Sequence, residues 1–179
     1  MEISGNPECK EILIECLRVF KPFRGAYISI DYETLPRGIA GRVNAEIETT
    51  RKRKTSLLTG IESVRVSRRI KNNEFYIRIN ENLAKIDDKK LRKEVVTSVI
   101  VHELLHIKRK DLLEHSKNYR KRKHKKIHAS LEAEALEKLN LLRKIEGLNL
   151  LKNKNYIEKE IAERVNNINN YRKVYLSLQ

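Results

Sequence analysis

The sequence predicts an α+β domain, on three observations. Short alternating runs of apolar and polar residues fill the stretch from Ala26 to Asn80, the period-two pattern of half-buried strands. Longer runs at helical spacing lie before and after that stretch. The chain has 179 residues, enough for one domain with a core of its own. The expected order is an N-terminal helix, a small twisted β-sheet of three to four strands and then three helices. Residues 1–151 form the domain in this reading, and 152–179 a C-terminal helical appendage.

Asn6-Pro7-Glu8 reads as a helix start: a capping side chain, proline at the first helical position and an acid in the first turn. Cys9, Ile12, Leu13, Cys16 and Phe20 follow at helical spacing, and Pro22 ends the run. Ala26, Ile28, Ile30 and Tyr32 share one face of a first strand, and Val43, Ala45 and Ile47 one face of a second. Val64 and Val66 mark a third; Phe75, Ile77 and Ile79 a fourth. Arg51-Lys52-Arg53-Lys54 reads as a basic loop or hairpin tip. From Asp88 to Asp111 the pattern is helical and apolar almost all round from Val95 to Leu105, as in a central, buried helix. Another helix spans Ile127 to Ile145, with Gly147 as its stop. A last amphipathic helix carries Ile157, Ile161, Val165 and Ile168 on one stripe.

Composition narrows the function classes. Lys and Arg total 39 against 24 Asp and Glu, a net charge of +15. That excludes an acidic tail and admits nucleic acid, anionic lipid or acidic protein as partners. The longest apolar runs fall far short of the roughly 20 residues of a membrane span. Glu2, Glu8 and Lys10 stand where a signal peptide would be apolar, so the expected compartment is the cytoplasm. Cys9 and Cys16 read as buried small hydrophobes rather than a disulfide. Scarce Gln with abundant Lys and Glu suggests a thermophilic source.

The chemistry gathers at His102-Glu103-Leu104-Leu105-His106, an H-E-x-x-H motif in the middle of the most strongly patterned helix. Residues four apart share a helix face, so both imidazoles can reach one ion. The expected cofactor is Zn2+, which takes such nitrogen ligands in tetrahedral geometry. Glu103, beside them, is the expected catalytic base, taking a proton from the attacking water and passing it to the leaving amine. Two groups compete on the residues alone for the third ligand: Glu132, in the next helix, and His115, nearer in the chain. Glu134 points about 160° away from Glu132 on a helix. His128, four residues before Glu132, shares its face and could support the site from behind; His124 belongs with the basic surface.

The run from His102 to Leu113 resembles the active-site helix of gluzincin-type metallopeptidases. It is similar to the catalytic domains of beta-lactam-sensing antirepressor peptidases and of membrane-bound heat-shock and prenyl-protein peptidases, and in element order to the archaeal minigluzincins. The resemblance implies a zincin-like fold, with an active-site helix and a glutamate helix. It implies His102, His106 and Glu132 as metal ligands, and Asp111 as a supporting acid five residues after the second His. Glu132-Ala133-Glu134-Ala135 matches the family's Glu-x-x-Ala, whereas Leu136 stands where the family has Asp. His115, in His-Ser-x-x-Tyr, is instead similar to the third ligand of SprT-like DNA-associated proteases.

Two functional expectations follow. One is a soluble zinc-dependent endopeptidase, latent or active, with a peptide or protein substrate held along the strand Phe75 to Asn80. The other is a basic, nucleic-acid-associated or regulatory protein on the same scaffold, touching phosphates through the basic stretch 108–126. The stripe Ile157 to Ile168 would pack on its own domain, cover the cleft or join a homodimer.

Overall fold

The computed structural model describes residues 1–20, 23–55, 62–113, 128–152 and 154–166. Strand β1 (Glu2–Gly5) leads into helix α1 (Pro7–Leu17), followed by β2 (Tyr27–Glu33), β3 (Gly41–Asn44), β4 (Ile47–Thr55), β5 (Glu62–Ile70) and β6 (Glu74–Asn80). Helix α2 (Glu81–Ala84) is a single turn, and α3 (Lys89–Arg109) is the longest helix among the described residues. A 3-10 turn (Asp111–Leu113), α4 (Ala129–Ile145) and α5 (Lys154–Val165) complete the α+β architecture.

The local signals act where the sequence places them. Asn6 Oδ1 accepts from Cys9 N at 3.2 Å and caps α1. Asp88 Oδ1 accepts from Lys90 N and Leu91 N and caps α3, satisfying two amides that have no carbonyl within the helix. Lys110, at φ 57°, closes α3 in the left-handed region.

Four strands form one mixed sheet in the order β1-β2-β6-β3. The first two pairings are parallel, and β3 runs antiparallel to β6, with Val43 opposite Ile77. The sheet is one-sided. Ile28, Ile30, Ile77 and Ile79 are fully buried on the face toward α1 and α3. The other face is polar, and there Arg78 sits 3.3 Å from Asp31 and 3.1 Å from Glu33. Helix α3 lies between this sheet, α1 and α4, and is buried on every side from Val95 to Val101, so its lack of an amphipathic face follows from its position.

The expected second strand, Val43 to Ile47, is broken in the structure. Val43 belongs to β3 in the main sheet, whereas Ile47 opens β4, which pairs only with β5. The basic run from Arg51 lies along strand β4 rather than in a loop or at a tip. Strand β1 has no counterpart in the sequence reading; it is four residues long and pairs in parallel with β2.

The apolar stripe of α5 packs on its own domain. Ile157 and Val165 are buried in the common core and Ile161 lies against it; Ile168 falls outside the described residues. Cys9 and Cys16 are buried free thiols.

Candidate metal centre

Helix α3 presents His102 and His106 on one face, one turn apart, with ring centroids separated by 5.0 Å. His128, at the N-terminal end of α4, closes the group from the other side. Its ring lies 5.3 Å from that of His102 and 4.5 Å from that of His106. Each of the three offers a ring nitrogen, and these nitrogens lie within 4.8 Å of one another. His128 is almost completely buried and the other two are half-buried, so a small ion could reach the group from one side. The donor set fits a divalent transition metal, since three imidazoles suit zinc chemically.

Glu132 stands one turn beyond His128 on α4. Its Oε2 is 3.6 Å from His102 Nδ1, and its Oε1 is 3.5 Å from Ser98 Oγ. With Nδ1 turned to a carboxylate, the Nε2 of His102 is the nitrogen left for an ion. Ligating histidines are commonly oriented in this way. Burial works against charge on His102, but the Glu132 hydrogen bond and the carboxylates of Glu103 and Glu132 outweigh it and raise its pKa. Burial raises the Glu132 carboxyl in turn; His102 and Lys154, whose Nζ lies 3.4 Å away, overcome that and hold it below its usual range.

Glu103 faces the cleft from the next position along α3 and is 4% exposed. Burial pushes its carboxyl up to about 7, against the charge of His102 and a hydrogen bond from the backbone of Val43 on β3. The close approach of β3 depends on Gly41. A Cβ there would overlap Val99 Cγ1 and sit 3.1 Å from Glu103 Oε1. Asn80, buried at the end of β6, fixes the segment just before β3 by hydrogen bonds to the carbonyls of Ile39 and Ala40, each 2.8 Å long.

These elements enclose a cleft of about 370 Å³ lined by the segment Gly38 to Gly41, by Ser98, His102 and Glu103 of α3, by Glu132 of α4 and by Glu158 and Ile161 of α5. The strand bordering it is β3. Strand β6, expected at the cleft from sequence, lies inside the sheet between β2 and β3. Edge position is set by strand order, which the alternation of Phe75, Ile77 and Ile79 does not encode.

Comparison with protein-family models, curated proteins and solved structures returns no match. The function has to be read from the site.

The other site residues expected from sequence divide as follows. Glu134 points away from the cleft and pairs with Lys138 on the surface. His115 and His124 lie outside the described residues, as do the side chain of Asp111 and the basic stretch from 114 to 126. Leu136 is buried against the core. His128, expected as a supporting residue, instead brings a ring nitrogen within 4.8 Å of those of His102 and His106. The i, i+4 spacing of His128 and Glu132 placed both on one face of α4, but only the packing of α4 on α3 shows which of them meets the two histidines.

Proposed function

We propose that the chain is a zinc-dependent endopeptidase, a zincin-like enzyme in which His102, His106 and His128 hold the ion. The observation that carries this reading is the convergence of three imidazoles, one of which, His102, lines a cleft together with the buried Glu103 and the edge strand β3. A site serving structure alone has no use for Glu103, whose burial is costly and brings it to the cleft wall. Glu132 acts as a positioning residue that orients His102, a departure from the ligand set implied by the gluzincin resemblance.

A divalent ion in this site would polarise a substrate carbonyl and make water a stronger acid. The chain's own residues supply the rest. The outer edge of β3 can take an extended peptide by main-chain hydrogen bonds. The Glu103 carboxylate, beside Gly41 and hydrogen-bonded by the Val43 backbone, accepts a proton from the attacking water and returns it to the leaving amine. Val99 and Ile161 supply apolar parts of the cleft lining.

Helix α5 contributes Glu158 and Ile161 to the cleft lining. Its end is tied to the opposite rim by the Gly38 amide, 3.1 Å from the Val165 carbonyl, and by Arg37 Nε, 2.9 Å from the Asn166 carbonyl. The Lys154 ammonium also competes with an ion for the charge of Glu132. In this reading a peptide enters when α5 lifts, and the enzyme is latent until it does. Replacing Ile161 with Asp should raise kcat/KM on a long peptide; no increase would show that α5 does not limit access.

The deciding experiment is zinc content by elemental mass spectrometry on wild type, His128→Ala and Glu132→Ala, with peptide cleavage in parallel. About one zinc per chain, lost in His128→Ala and largely kept in Glu132→Ala, is the expected result. The reverse pattern would return the third position to Glu132. No zinc in any form, even after zinc is supplied, would end the peptidase reading.

A further inference from the structure

Much of the described positive charge lies away from the metal site. A concentrated part of it lies on the β4–β5 ribbon, and we propose that this ribbon is a phosphate-gripping arm for double-helical DNA. The proposal is independent of the metal site.

The ribbon is a distal excursion of the hairpin that joins β3 to β6. The chain leaves the sheet after Asn44, runs out along β4, returns along β5 and re-enters through a turn with Asn72 and Asn73 at positive φ. Among the described residues, β5 also meets the 3-10 turn Asp111–Leu113, and the outer part of the ribbon is exposed. Ile47 and Ile70 form the first rung, and Ile70 still touches the core. Farther out, the described residues of β5 are exposed from Glu62 to Ser67, and Val64 and Val66 are 55% and 45% exposed.

Charge is distributed unevenly along the ribbon. Near the root, acids neutralise bases: Glu46 pairs with Lys71 at 2.9 Å and Glu48 with Arg69 at 2.7 Å. The four rungs from Thr50–Ser67 to Arg53–Val64 hold Arg51, Lys52, Arg53 and Arg65 and no acid. None of these four cations has an ion pair among the described residues. Lys52 stands directly opposite Arg65, a like-charge cross-strand pair that weakens a ribbon. Edge strands do use lysine to deter aggregation, but that does not call for cations on both faces. Arg51 and Arg53 occupy one face with Val64 and Val66, whereas Lys52 and Arg65 occupy the other.

A polyanion that meets both faces at once removes this repulsion. The groove of a nucleic-acid duplex does so, because phosphates line both walls. A lipid surface or an acidic protein face would engage one side and leave the other charged. The dimensions suit the B-form major groove. A two-stranded ribbon fits its width of about 12 Å, and nine residues extend about 30 Å, close to one helical turn. The deep, narrow major groove of duplex RNA would not admit it. Arginines and lysines contacting phosphates give binding that is salt-sensitive and indifferent to sequence.

The test uses the full chain and a fluorescent 20-base-pair DNA duplex, with affinity read by anisotropy from 50 to 200 mM salt. The expected result is binding that weakens steeply with salt. The triple variant Arg51→Glu, Arg53→Glu, Arg65→Glu should bind at least tenfold more weakly. Its salt slope should fall by roughly 2 to 3, one phosphate contact per cation removed. Its melting temperature and zinc content should match wild type, because the ribbon is outside the core. A control with the same charge change, Lys89→Glu, Lys90→Glu, Lys144→Glu, should bind like wild type. Equal loss in both variants would reduce the effect to net charge and overturn the proposal. No binding at 50 mM salt would overturn it too. So would equal competition by poly-glutamate or duplex RNA, or tighter binding to phosphatidylserine vesicles through the same arginines.

Discussion

Helix α3 and the β4–β5 ribbon are both long, regular elements, and they are held in different ways. In α3, Val95, Val96, Ile100 and Val101 are completely buried, and polar side chains are few among them. Thr97 Oγ1 donates to the Lys93 carbonyl at 2.7 Å, Ser98 meets Glu132, and Glu103 faces the cleft. In the ribbon, backbone pairing between β4 and β5 does most of the ordering while side chains face water. Burial makes a polar residue costly, so one that persists on α3 points to chemistry. On the ribbon a single cation means little, and only a run of unpaired like charges is informative.

Several measurements can break or sharpen this contrast. The largest effect should come from Glu103→Gln, which removes the proton acceptor. Peptide cleavage is expected to fall by about 10² to 10⁴-fold while zinc content stays constant; undiminished cleavage would show that Glu103 is not the base. Next is stability. Ile100→Ala, which leaves a cavity on α3, should cost about 2–5 kcal/mol in urea unfolding. Gly41→Ala should cost about 1–3 kcal/mol by pushing β3 off Val99, and it should lower cleavage as Glu103 shifts. At the small end, Val66→Ala on the ribbon should change stability by no more than about 0.5 kcal/mol. A cost comparable to that of Ile100→Ala would mean that the ribbon is part of the cooperative core.

The two thiols extend the comparison to reactivity. Burial pushes Cys9 up to about 11 and Cys16 higher still. Thiolate is the reactive form, so at pH 8 neither should react with a thiol reagent until the protein unfolds. Prompt labelling of the native chain would show that α1 opens locally.

Much of the helical part was legible in the chain because its signals are short-range. Asn6 and Asp88 cap the helices they were expected to start, and His102 and His106 face the same way because the helix repeat makes them do so. The sheet was less legible. Alternation identified Ile28, Ile30, Ile77 and Ile79 as inward, yet it could not rank strands from edge to centre or separate Val43 from Ile47. Strand order depends on contacts between residues far apart in sequence, and no local pattern records them.

By itself, the sequence determined the α+β class, the buried central helix, the two-histidine face with its neighbouring acid and the buried cysteines. Each of these follows from the helix repeat, from capping or from the cost of burying a polar group. Tertiary structure alone decided that His128 joins the pair on α3, that Glu132 turns to His102, that β3 borders the cleft and that α5 lines it. It also decided that the basic run from Arg51 stands clear of the core as one strand of a ribbon. These outcomes rest on which surfaces pack together, and packing is a property of the whole chain.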